Sequence, residues 1–109
     1  MRLSPRDPLK YRWLLWRGFA KFVEERHDEA AEWTRKALRL NPDFPGGHRL
    51  LASIYGRIGR VDEAQAALDR FSRLVPGQTV ESARTQLPFK RPEDLERFLD
   101  GLRKAGLPE

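Results

Sequence analysis

The stretch Asp28-Glu29-Ala30-Ala31-Glu32-Trp33-Thr34-Arg35-Lys36-Ala37-Leu38-Arg39-Leu40-Asn41-Pro42 has an echo in Asp62-Glu63-Ala64-Gln65-Ala66-Ala67-Leu68-Asp69-Arg70-Phe71-Ser72-Arg73-Leu74-Val75-Pro76. The acidic pair, the alanine that follows it, Leu40 and Leu74, and Pro42 and Pro76 all recur at an interval of 34 residues. A beat of that length belongs to stacked helical hairpins, because each unit carries an apolar face that it buries only against a neighbour. Gly18 and Ala52 keep the same interval, as do Ala20 and Ile54, so the beat reaches the helix ahead of each quoted stretch.

Working outward, first helices are predicted over 9–25 and 45–58 and second helices over 27–40 and 61–74. Asp28-Glu29 and Asp62-Glu63 put negative charge in a first turn, and Arg39 and Arg73 put positive charge in a last turn, both as the helix dipole favours. Asn41-Pro42 and Val75-Pro76-Gly77 then stop each helix, since proline cannot continue it. Gly59-Arg60 forms the tight turn of the second unit, and Arg26 or His27 serves in the first. Beyond Pro76 the beat is lost. Thr79 is a fitting N-cap for a short helix over 80–87, and Pro92 opens a last helix with Glu93 and Asp94 in its first turn. Leu95, Phe98, Leu99 and Leu102 give that helix one apolar stripe, and Gly106 closes it.

The expected architecture is therefore all-α: an α-α superhelix of two hairpins with a capping helix pair. The units run 9–42 and 43–76, the cap 77–109, and 1–8 reads as the tail of a preceding repeat or a linker. A chain of 109 residues is one domain with one core. It holds no cysteine, which excludes disulfides, thiolate metal sites and cysteine nucleophiles and fits a reducing cytoplasm. No run approaches the ~20 apolar residues of a membrane span, and Met1 to Lys10 lacks the apolar core of a secretory signal. Net charge is +5 and uneven, residues 1–26 holding seven Lys and Arg against three acids.

These residues resemble the tetratricopeptide repeat, whose pattern has a small residue and a large one on the first helix, alanine near the start of the second, and a closing proline. Leu51-Ala52, Tyr55, Gly59, Ala64, Leu68 and Pro76 carry it in the second unit; Gly18, Ala20, Ala30, Ala37 and Pro42 carry it in the first. The first unit departs from the pattern at Lys21 and Thr34, and has Leu14 where the family often has tryptophan. More narrowly, Leu87-Pro88-Phe89 followed by Pro92, Asp94-Leu95-Glu96-Arg97-Phe98-Leu99 and Gly101-Leu102-Arg103-Lys104-Ala105-Gly106-Leu107-Pro108-Glu109 resembles the ending of bacterial proteins in which such repeats follow a class III adenylate or guanylate cyclase domain, or a winged-helix regulatory domain. The metal-binding aspartates of the cyclase have no counterpart here, so the resemblance implies a regulatory or scaffolding part and no activity of its own.

The resemblance implies a concave partner-binding groove lined by the first helices, at positions mapping to Arg12, Leu15, Trp16, Phe19, Phe22, Arg49, Ser53 and Arg57. Arg49, Ser53 and Arg57 share one helix face, where two guanidiniums would grip a carboxylate or phosphate, or stand as ordinary solvated groups. The family's clamp for a C-terminal carboxylate wants lysine and asparagine where this chain has Leu15 and Phe19. Trp13, Trp16, Phe19 and Phe22 make their helix apolar on more than one face, as expected of a helix that is buried all round or awaits a partner. Self-association through the N-terminal hairpin is one expected consequence.

Other chemistry finds little footing. His27 and His48 lack the second ligand that a metal needs at helical spacing, the serines lack a histidine and carboxylate constellation, and Gly46-Gly47 opens a hairpin and is no phosphate cradle. No cofactor and no catalysis are expected. The function classes reduce to a protein-interaction module, facing a protein, a peptide or other domains of a larger protein, and a nucleic-acid-binding helical domain of a transcriptional regulator. The second rests on the likeness of 52–64 to a helix-turn-helix, but Asp62 and Glu63 would open its recognition helix and repel phosphates.

Overall fold

The structure is a computed structural model and describes residues 9–87 and 89–109, so the expectation for 1–8 lies outside the described residues. Six helices follow in order: α1 (Lys10–Val23), α2 (His27–Leu40), α3 (Pro45–Arg57), α4 (Val61–Leu74), α5 (Val80–Gln86) and α6 (Pro92–Ala105). There is no strand among the described residues, and the all-α class stands.

α1 packs along α2 and α3 along α4, each as an antiparallel hairpin, and α2 then packs on α3 to stack the two. Small residues make these crossings close. A Cβ at Gly18 would run into Thr34 Oγ1, so the threonine of the first unit fills the space opposite a glycine. Its hydroxyl turns back to donate to the Ala30 carbonyl at 2.7 Å, which satisfies a fully buried polar group. Ala30 and Ala64, the anchors of the beat, are both wholly buried.

The turns of the two hairpins solve one problem with different residues. Gly59 takes φ +80°, the left-handed conformation that glycine adopts freely. One beat earlier stands Glu25, at φ +60°, the only non-glycine with positive φ among the described residues. Left-handed backbone costs an L-residue roughly 1 kcal/mol, so the first turn carries a strain that the second avoids. The turn thus falls at Glu25, one residue ahead of Arg26, whereas the sequence pattern puts it at Arg26 or His27.

Thr79 caps α5 in a reciprocal box: the Ser82 amide donates to Thr79 Oγ1 at 3.1 Å, and the Thr79 amide to Ser82 Oγ at 2.9 Å. α6 starts at Pro92 and ends at Gly106 in the left-handed conformation, as its end signals require. Its place in the fold differs from the expected third pair. α6 makes little contact with α5 and lies along α3 as extensively as α4 does. The last residues tie the cap down, the Val80 amide donating to the Pro108 carbonyl at 2.8 Å.

Candidate functional site

The inner face of the stack, where the groove was expected, is where α6 lies. Phe98, Leu99 and Leu102 are buried completely, and Phe98 stacks on Phe19 with ring centres 5.9 Å apart and meets Phe22 edge-on at 5.4 Å. Burying three such side chains is worth roughly 6 kcal/mol in transfer free energy, against a typical total stability of ~5–15 kcal/mol. α6 is thus part of the core and no loosely seated lid. The contact is close enough to need glycine on both helices. A Cβ at Gly56 would overlap the Gly101 carbonyl, and one at Gly101 would overlap the backbone of Ser53.

Two polar residues of the expected groove, Ser53 and Arg57, serve the same seam. The buried Ser53 hydroxyl donates to the Phe98 carbonyl at 2.8 Å. Arg57 donates to Asp100 Oδ2 at 2.9 Å, and its Nη2 stands 3.9 Å from Glu25 of the first turn. Burial works against the Asp100 charge, but hydrogen bonds from Lys104 and Arg57 outweigh it and hold that carboxyl below its usual range. Arg49 donates to Gln86 Oε1 at 2.8 Å and lies over the Phe71 ring, and burial lowers its pKa. The two arginines expected to grip an outside anion are therefore engaged within the chain. Leu15 and Phe22 are buried, Phe19 is half-buried against Phe98, and Arg12 is exposed beside Tyr11.

Trp16 alone of the aromatic positions named for the groove stands well out, 66% exposed. It forms one wall of a hollow of about 500 Å³ whose floor is Phe19, Ala20 and Val23 of α1 and Phe89 of the α5–α6 connection. Lys90 and Arg91 edge it on one side and Glu24 on the other. Arg91 is spent on the buried Asp94, which also takes Arg97, while Lys90 makes no ion pair among the described residues. Beyond Trp16 the same side carries Trp13 of α1 and Leu9 just ahead of the helix, both exposed. Trp13 is held in place: Trp33 meets it edge-on at 6.0 Å, and Arg17 lies over both rings, at 5.5 and 4.9 Å.

Sequence reasoning named Phe98 in the apolar stripe of the last helix but missed its seat against Phe19 and Phe22, and missed Phe89, Asp100 and the Gly56–Gly101 approach. An amphipathic stripe says that α6 buries one face but does not name the surface that receives it. The faint available signal is a pair of glycines, Gly56 and Gly101, inside helices where glycine weakens the helix unless something packs closely there.

Hairpins of two antiparallel helices, repeated at 34 residues with alanine and glycine at the crossings, also meet the tetratricopeptide repeat family model over residues 22–87. The chain belongs to the tetratricopeptide repeat family. No curated protein and no solved structure matches the chain. Tetratricopeptide repeats mediate protein–protein interaction in general, and a stack of hairpins offers extended surfaces for it. Among the described residues no group of three or more His, Asp and Glu side chains is placed to hold a metal, and no helix is long and apolar enough to cross a membrane. The helix-turn-helix-like stretch proves to be the α3–α4 hairpin, with Asp62 and Glu63 exposed at the start of α4.

Proposed function

We propose that this chain is a non-catalytic protein-interaction module that receives a helical partner on the free face of α1. A single observation carries the reading. Leu50 and Ile54 of α3 are wholly buried, and the residues one beat earlier are Trp16 and Ala20 of α1, which are exposed. The stacking interface that covers the second hairpin thus has an uncovered counterpart on the first. An apolar patch of this kind on a soluble domain marks an interaction site. The groove reading has less support, since Ser53 and Arg57 hold α6 and Arg49 holds the end of α5.

The test is to supply the missing neighbour. An idealised tetratricopeptide hairpin joined ahead of α1, in phase with the beat, is expected to raise the melting temperature and to shield Trp16 from acrylamide quenching. Unchanged melting with Trp16 still fully quenched would refute the reading.

The parent context belongs to the proposal as well. The resemblance of the 87–109 ending to cyclase-type bacterial signalling proteins supports a regulatory or scaffolding role in the cytoplasm, with the partner drawn from another protein or from other domains of the same one.

A further inference from the structure

Resting on the reading of the α1 face as the docking surface, we infer that its occupant is a second copy of the chain, with the two α1 helices antiparallel across a two-fold axis near Trp16. Three observations point to one arrangement.

The first is that the trailing end of the stack offers no match. In the interface between hairpins, α2 contributes Leu38, against Gly47, and Arg35, bonded to Tyr55. One beat later α4 carries Ser72 and Asp69, both exposed. A head-to-tail chain of copies would seat tryptophans on that polar surface. An isologous contact, apolar face on apolar face, closes at two copies and avoids the mismatch.

The second is size. Across a two-fold axis level with the Trp16–Arg17 peptide, Trp13 of one α1 falls opposite Ala20 of the other, so that large meets small, as close packing requires. Trp16 borders the hollow over Phe19, Val23 and Phe89, which gives the partner's indole an apolar recess. Trp13 is pinned by Arg17 and Trp33 and pays little entropy on burial.

The third is charge. Lys10 starts α1 and makes no ion pair among the described residues; Glu24 follows its other end, held only loosely by Lys21 at 3.6 Å and Arg26 at 4.0 Å. Antiparallel helices bring each Lys10 to the partner's Glu24. Parallel helices would set Lys10 on Lys10.

Sedimentation equilibrium of the full chain from about 1 μM to about 1 mM decides the matter, since a contact this small belongs to the weak class below ~1,200 Å². A monomer–dimer equilibrium is expected, with tryptophan emission moving to the blue as dimer forms. Trp16→Asp should weaken the dimer at least ~10-fold, as loss of a central aromatic anchor does, and Ala20→Glu should do likewise. Both sites are exposed in the monomer, so melting at low concentration checks that each variant folds. Lys10→Glu should weaken it about 3-fold and the added Glu24→Lys should restore it, the size expected of an exposed pair. Both exchanges suit the helix dipole, so neither harms α1 itself. A monomer throughout the range, or a dimer indifferent to Trp16→Asp and Ala20→Glu, overturns the inference; a double exchange that fails to restore association overturns the antiparallel pairing. The hairpin-fusion experiment remains separate, because an α1 face that accepts a supplied hairpin but not a second copy sinks only this inference.

Discussion

Trp16 and Leu50 hold the same place in consecutive hairpins, yet one is 66% exposed and the other fully buried. The contrast extends along their helices. Every residue of α3 from Leu50 to Gly56 is buried, because α2 and α4 cover two sides and α6 the third. In α1 only Leu14, Leu15, Gly18 and Phe22 are buried. A repeat position thus fixes which way a side chain points, and the neighbours decide what it meets. What stabilises one hairpin is left facing solvent in the other.

The largest test of that contrast exchanges equivalent positions. Leu50→Ala opens a cavity in a closed layer and should cost about 3 kcal/mol, whereas Trp16→Ala should stay within ~0.5 kcal/mol in the monomer; urea unfolding at low concentration measures both. If the two variants proved equally costly, the two faces would not differ as described.

A middle-sized test asks what the hairpins share. Ala30 and Ala64 are both buried where their helices cross, so Ala30→Leu and Ala64→Leu should each destabilise by about 2 kcal/mol through overpacking. Neutrality at either position, read from the urea midpoint, would mean that the beat has been set in the wrong phase.

The smallest test concerns the turns. A Cβ at Gly59 meets nothing within 4 Å, so Gly59→Ala isolates backbone strain and should cost ~1 kcal/mol. Glu25→Gly removes strain of that size but also the 3.9 Å and 4.0 Å pairs to Arg57 and Arg97, so its melting temperature should change less than that of Gly59→Ala and in the stabilising direction. A large loss at Glu25→Gly would show that those ion pairs outweigh the backbone.

These differences mark where the sequence could be read and where it could not. The hairpins were legible because repetition doubles every signal: Ala30 is confirmed by Ala64, and Pro42 by Pro76. Helix ends were legible because proline, glycine and charged first turns act locally, as Thr79 and Pro92 do. The seat of α6 was not, because it depends on residues 45 apart, such as Ser53 and Phe98, that no beat connects. Arg49 and Arg57 read as solvated or ligand-gripping groups for the same reason: their partners, Gln86 and Asp100, lie in the unrepeated segment. The exposed tryptophans were half legible. The pattern showed more apolar surface on α1 than one neighbour can cover, but only the packing separates Phe22 inside from Trp16 outside.

The position of α6 also bears on how the chain matures during translation. Its partner surface on α3 is made early and its own residues, 92–105, come late, so the two hairpins must wait with Phe19 and Phe22 short of their final cover. Local hairpins form fast, whereas contacts across long stretches of chain close slowly. A nascent chain halted before Pro92 would therefore present greasy surface to chaperones, and the step that seals it is the arrival of a single late helix.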